Sequence, residues 1–383
     1  MEVYLDNSST TRMYDECIDK MSDAMRFNYG NPSSLHRKGI EAEKLLRYAK
    51  DAISDTLRVT SGEIFFTSGG TESDNWAIGG VCGANRGRHI LSSAIEHPAV
   101  LMPLDNMEDK GYTVERIPVL KSGETDIEAF SKMVRNDTVL VTVMLVNNET
   151  GAIQPVAEMA RIYKAKNPRG VFHVDAVQAY GKIPFTAKEI GADIITLSSH
   201  KIHGPKGVGA LYIKKGTRIS PLIYGGGQQK NFRPGTENSH GIYGFGLAAE
   251  KAVSGVVQNE KKMRSLRQRL ESGIRENIDN VRINTPKNSA PHILSVSFGG
   301  TKAEVLLHSL ESEGIYVSSG SACSSHKKGP SYVLSAMEVP RNMIDGTLRF
   351  SLSEFTTAEE IDYTIAALIK VVKRNRMIMK VHG

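Results

Sequence analysis

Six short apolar runs, each ending in small or polar residues, constrain this chain more than any other feature. Residues 64–67, 89–92, 139–146, 171–174, 194–197 and 209–213 read as strands, and Val139-Leu140-Val141-Thr142-Val143-Met144-Leu145-Val146 is the strongest, nearly continuous and β-branched. A strand that is apolar on both faces must be covered on both faces. The spans between these runs have room and pattern for helices, as at residues 73–80, from Pro98 towards Asp109, and at 158–163. Pro98 suits a first helical turn, where its missing N–H costs nothing. Together these features predict an α/β fold built on a mostly parallel sheet.

After Gly255 the texture changes. Residues 259–278 are highly charged, with Met263, Leu266, Leu270 and Ile274 on one helical face. Strand-like 293–298 and 349–352 then alternate with helical 303–312 and 358–374. The expected division is a large domain over residues 16–255 and a smaller α/β domain made of residues 1–15 and 256–383, the N-terminal arm returning to it.

Composition excludes several classes. With 40% hydrophobic and 23% charged residues the chain is neither disordered nor fibrous. A net charge of +6 over 383 residues is too dilute to predict direct nucleic-acid binding. No run of apolar residues is long enough to predict a membrane span, and the first residues lack the basic-then-apolar pattern of a signal peptide. Cys17, Cys82 and Cys323 are the three cysteines, an odd and sparse set that argues for a reducing, cytoplasmic setting. Without CxxC, HExxH or an EF-hand loop, no metal site is expected with certainty.

Polar groups at the strand ends carry the candidate chemistry. Ser198-Ser199-His200-Lys201 follows a buried strand, so Lys201 would sit at the edge where open α/β sheets bind ligands. A lysine there is either a solvated loop residue or an amine able to join an aldehyde. Phe66-Thr67-Ser68-Gly69-Gly70-Thr71-Glu72-Ser73 runs from strand through small residues into a helix: a tight capped turn, or a phosphate cradle of free N–H groups. It fits neither the Walker pattern nor GxGxxG. Asp175 closes an apolar strand, a poor place for an unpaired carboxylate, and calls for a salt bridge, a capping role or a protonated ring nitrogen. Asn147-Asn148-Glu149-Thr150-Gly151 and Glu96-His97-Pro98 likewise end strands with polar side chains, and His97 could be structural, stack on a flat ring or shuttle protons.

Five strand ends delivering groups suited to one ligand change the reading. The sequence resembles the cysteine desulfurases of the class-V aminotransferase family of pyridoxal-phosphate enzymes. The resemblance rests on Tyr4-Leu5-Asp6-Asn7-Ser8-Ser9-Thr10-Thr11, Gly30-Asn31-Pro32-Ser33-Ser34-Leu35-His36, the Thr67-to-Ser73 and Asn147-to-Gly151 motifs, Ser199-His200-Lys201, Arg233-Pro234-Gly235-Thr236-Glu237-Asn238 and Ser318-Ser319-Gly320-Ser321-Ala322-Cys323-Ser324-Ser325. It implies a fold-type I transferase whose cofactor is pyridoxal 5′-phosphate. On that resemblance Lys201 is the Schiff-base lysine, Asp175 pairs with the pyridine nitrogen, and Gln178 and Asn148 bond the phenolic oxygen. His97 stacks on the ring and has a catalytic role. Gly70, Thr71, Ser198 and His200 bind the phosphate, and Thr236 reaches the phosphate of a neighbouring subunit, which implies a homodimer. Arg349 with Asn31 clamps the carboxylate of L-cysteine, a group a bidentate guanidinium suits.

Cys323 lies among Ser, Gly and Ala, a context that suits an exposed loop better than an apolar core, with His326, Lys327 and Lys328 downstream to favour thiolate. The resemblance makes it the nucleophile that takes sulfur as a persulfide, and in some relatives a transient iron–sulfur ligand. It also implies a sulfur acceptor, an iron–sulfur scaffold or a tRNA-thiolation protein. Selenocysteine lyase chemistry on the same scaffold, and a non-catalytic protein that binds a partner, are the competing readings.

Overall fold

A computed structural model describes residues 1–319 and 329–382. Among them, seven strands form the large sheet in the order Ile64–Thr67, Gly209–Ile213, Ile194–Ser198, Val171–Asp175, Thr138–Met144, His89–Ser93, Thr113–Ile117. Gly209–Ile213 runs antiparallel to both neighbours, and the remaining pairs are parallel. The fold is therefore the expected α/β arrangement with a mostly parallel, mixed sheet.

The near-continuous apolar pattern has a direct cause. Val141, Val143, Phe172, Val174, Ile195 and Leu197 pack into one buried cluster. Their chain neighbours Leu140, Val171 and Ile194 pack into another. Alternate side chains thus point to opposite faces, and helices cover both. Each fully buried Val, Leu or Ile contributes about 1.5–3 kcal/mol of transfer free energy. The strand Thr113–Ile117 escapes the apolar pattern because it is the sheet's edge and is partly exposed.

Register aligns the carboxyl ends. Met144 stands beside Asp175, Asp175 beside Thr196, and Ser198 beside Gly209. The run 139–146 leaves the strand after Met144 because Asn147 turns the chain: its Oδ1 accepts from Glu149 N at 3.0 Å and Thr150 N at 2.9 Å.

The C-terminal part builds a separate antiparallel sheet in the order Ser318–Ser319, Thr347–Ser351, Ile293–Phe298, Val281–Ile283. The amphipathic helix read from residue 259 begins at Val256 and ends at Asn277. Met263, Leu266, Leu270 and Ile274 are buried as its periodicity predicts. Arg267 is buried with them, its Nη1 donating to Ser289 Oγ at 2.6 Å and Ala290 O at 2.7 Å. Val3–Tyr4 pairs in parallel with Ile315–Tyr316, Asp6 bridges to Ser351, and Val3 and Leu5 join the buried cluster of this part. Among the described residues no helix is long and apolar enough to cross a membrane.

Candidate active site

The strand ends, the N-terminal segment and Arg349 enclose a cavity of about 220 Å³. Gly70, Thr71, His97, Asn148, Asp175, Gln178, Ser198, His200, Lys201 and Arg349 all line it, joined by Ser8 and Asp74. Ten residues singled out from sequence therefore meet in one place. Asn31 and Thr236 are not among the lining residues. Asn31 is exposed and its Oδ1 accepts from Ser33 N at 2.9 Å, while Thr236 is also exposed. Cys323 lies outside the described residues.

One end of the cavity is made for an anion. Thr67 leads through Ser68 and Gly69 into the helix Gly70–Ala84, whose first N–H groups point free of intrahelical partners. Gly69 has φ +156°, and a Cβ on Gly209 would stand 2.7 Å from the Gly69 backbone, so both glycines are needed for this approach. Among the described residues, Ser198 Oγ is buried without a partner. An adjoining cleft shares Gly70, Thr71, Ser198 and His200 with the cavity and adds Thr10 and Lys206. Glu72, in the first turn, does not oppose an anion: Arg233 donates to it at 2.8 and 3.1 Å and Ser68 N at 2.9 Å.

The middle of the cavity is carboxylate and imidazole. Asp175 accepts from Val177 N at 2.9 Å, and burial pushes its carboxyl above the ordinary range. Asp74, absent from the sequence reading, sits in the same lining. Burial first, then the neighbouring Asp175, pushes it well up. A cation placed against Asp175 would reverse the penalty on its charge. His97 caps the helix Pro98–Asp109, with Nδ1 accepting from Ala99 N at 3.1 Å. That bond places the ring proton on Nε2. Burial, with Lys201 and Arg349 nearby, brings His97 down to about 4, so the ring is neutral at physiological pH.

Lys201 ends a short 3₁₀ turn after its strand, and Nζ donates to Ser8 O at 2.6 Å and Ser9 O at 2.7 Å. Gln178 Nε2 also donates to Ser8 O, at 2.9 Å. Asn148 Oδ1 is buried with no partner among the described residues. Arg349 Nη1 donates to Asn148 O at 2.8 Å, and Nη2 donates to Asp6 Oδ1 at 2.9 Å and Ser9 Oγ at 2.7 Å. The N-terminal segment thus touches Lys201, Gln178 and Arg349 together. It acts mainly through backbone carbonyls, which leave no mark in a sequence; the aspartate in its motif was the signal available.

These features define an enzyme site for an anionic, ring-bearing ligand held beside a lysine amine. The aminotransferase class-V family model matches residues 3–364, and the chain belongs to that family. It is 42% identical over 380 residues to "Cysteine desulfurase IscS" of Dictyoglomus turgidum, covering 98% of this chain and 96% of that one. "Cysteine desulfurase NifS" of Azotobacter vinelandii is 40% identical, with 98% and 94% covered. Among solved structures, "NIFS-LIKE PROTEIN" is 41% identical at a TM-score of 0.92, covering 98% of this chain and all of that one. "SspA in complex with cysteine" is 28% identical at a TM-score of 0.82, with 93% and 100% covered.

Such enzymes depend on pyridoxal 5′-phosphate, and the residues fit it. The free helix N–H groups and the orphaned Ser198 Oγ match a phosphate, the buried Asp175 a protonated ring nitrogen, and the orphaned Asn148 Oδ1 a group carrying a hydrogen-bond donor.

Proposed function

We propose that the chain is a cysteine desulfurase, which removes sulfur from L-cysteine to give L-alanine and a persulfide on Cys323. The observation that carries this reading is the meeting of Lys201, Asp175, the phosphate-type helix start and Arg349 around one cavity. When bound, the cofactor supplies a ring that withdraws electrons from an amino acid joined to its aldehyde carbon.

The chain's own residues do the rest. Gly70, Thr71, Ser198 and His200 hold the phosphate, and Thr236 reaches the phosphate site of a second subunit. Asp175 keeps a proton on the ring nitrogen. Asn148 and Gln178 orient the ring through its phenolic oxygen, and neutral His97 packs against it. Arg349 binds the substrate carboxylate. Lys201 Nζ anchors the aldehyde at rest, then takes and returns the proton of the substrate's Cα. Cys323 thiolate attacks the substrate sulfur. The carbon–sulfur bond breaks, its carbon is protonated to become the alanine methyl group, and Cys323 keeps the sulfur.

A homodimer is the working form in this reading. Leu35 (95% exposed) and Tyr224 (87%), with Phe27 and Tyr29, offer apolar surface for an interface, and Thr236 is exposed near Tyr224 in sequence. We divide the chain into a large cofactor-binding unit, residues 16–255, and a smaller unit of residues 1–15 and 256–383; one buried cluster draws only on the smaller unit and another only on the larger, while Tyr14, Ala290 and Ile293 pack into the larger unit's core and Ile95 packs with Val333 and Leu334. The sulfur acceptor is read as an iron–sulfur scaffold or a tRNA-thiolation protein in a reducing cytoplasm.

The test is Cys323→Ser beside Lys201→Ala. The first should keep the visible absorbance of bound cofactor yet form no persulfide from cysteine. The second should lose the absorbance of the lysine-linked cofactor. Alanine and sulfide released by Cys323→Ser at the parent rate would refute the role of Cys323.

A further inference from the structure

Arg349 is already occupied. A guanidinium carries five N–H donors. Nη2 donates to both Asp6 Oδ1 and Ser9 Oγ, which are themselves 2.8 Å apart, and Nη1 gives one hydrogen to Asn148 O. Nε is buried without a partner among the described residues. Two parallel N–H groups, the geometry that grips a carboxylate at two points, exist on only two guanidinium edges: Nε with Nη2, and Nη1 with Nη2. Both edges need an Nη2 hydrogen. An incoming carboxylate therefore competes with Asp6 and Ser9 at Nη2.

Charge decides which one yields. Ser9 is neutral, whereas Asp6 is a carboxylate that would face the incoming one at close range. Asp6 also has somewhere to go, because its side chain is 22% exposed against 3% for Arg349. Ser9 Oγ donates to Asp6 Oδ1 at 2.8 Å, so Asp6, Ser9 and Arg349 close a ring of bonds that opens together. Ser8 O and Ser9 O, on the same short stretch, accept from Lys201 Nζ.

We propose that Asp6 is a built-in stand-in for the substrate carboxylate: it holds Arg349 until an amino acid arrives, is displaced by it, and so sets how tightly carboxylate ligands bind. This rests on the reading of Arg349 as the substrate clamp. Asp6 is a positioning residue that acts through Arg349. The amide of Asp6→Asn keeps an acceptor for Nη2 but removes the competing charge.

The experiment measures binding of 3-mercaptopropionate to the holoenzyme by calorimetry. This probe has the thiol and carboxylate of cysteine but no amine to react. Asp6→Asn should tighten it about three- to tenfold, the scale of a partly buried ion pair, and lower KM for L-cysteine more than it changes kcat. Asp6→Glu should stay near the parent. 2-Mercaptoethanol, which lacks both the carboxylate and the amine, should bind parent and Asp6→Asn alike. Unchanged or weaker 3-mercaptopropionate binding by Asp6→Asn, or an equal gain for 2-mercaptoethanol, overturns the proposal. If Asp6→Asn does not fold, Ser9→Ala, which removes one of the two acceptors competing at Nη2, should shift binding in the same direction, and a shift the other way overturns it. Arg349→Gln should lose the probe. If it binds normally, the clamp reading itself fails. If it loses the probe while Asp6→Asn gains nothing, only the displacement proposal fails.

Discussion

Glu149→Gln should make the ligand-free protein less stable in acid and more stable in base, and the size of the crossover follows from where the carboxyl sits. Glu149 is 4% exposed at the end of the Asn147 turn, and Ser331 Oγ donates to Oε2 at 2.5 Å. Burial raises its pKa from 4.5 to about 7, while Ser331 and Arg349 partly offset the rise. Ionising it in place therefore costs about 3 kcal/mol more than ionising it in water. The folded value lies above the unfolded one. Its contribution to stability is thus complete below the ordinary carboxyl range and is lost as pH rises through about 7. Glutamine keeps an acceptor for Ser331 but brings an amide N–H₂ with no partner assured, a cost of about 1–3 kcal/mol at every pH. The net expectation is a loss of that order near pH 5, and parity or a gain of about 1–2 kcal/mol above about pH 8. Thermal midpoints of both proteins across that range, at one scan rate, measure the difference. A difference that stays constant with pH would show that Glu149 is ionised in the folded protein and refute the burial argument.

Three further outcomes follow from the site. Ser198→Ala should weaken cofactor binding roughly tenfold, about the value of a hydrogen bond to a charged group, when cofactor uptake is followed by absorbance; unchanged affinity would remove Ser198 from the phosphate site. Gly209→Ala should weaken uptake too, because its Cβ would press on the Gly69 backbone at 2.7 Å; a fully loaded variant with parent stability would show that the approach is not tight. The pH profile of kcat/KM for L-cysteine should show no titration of His97 between about pH 5 and 8, since it is held down to about 4; a profile inflection there that vanishes in His97→Gln would contradict the neutral ring.

Much of this was legible in the sequence for one physical reason. Parallel strands buried on both faces must be apolar throughout, so polar groups such as Asp175, Ser198 and Asn148 stand out where such strands stop. The same logic hid the edge strand Thr113–Ile117, which is partly exposed and carries Glu115 and Arg116. It also hid Asp74, which faces the cavity from the first turns of a helix rather than from a strand tip. The Ser8 and Ser9 carbonyls on Lys201 could not be read at all, because every residue has a carbonyl and only the fold decides which one is aimed. Asn31 and Thr236 came from motif resemblance alone; both are exposed, and neither lines the cavity of its own chain.

Incubating the cofactor-loaded protein with L-cysteine, then measuring intact mass and mapping peptides, tests the desulfurase reading most directly. It should show one added sulfur atom on the peptide containing Cys323, with alanine released in step. No added sulfur, or sulfur carried on Cys17 or Cys82 instead, would contradict it.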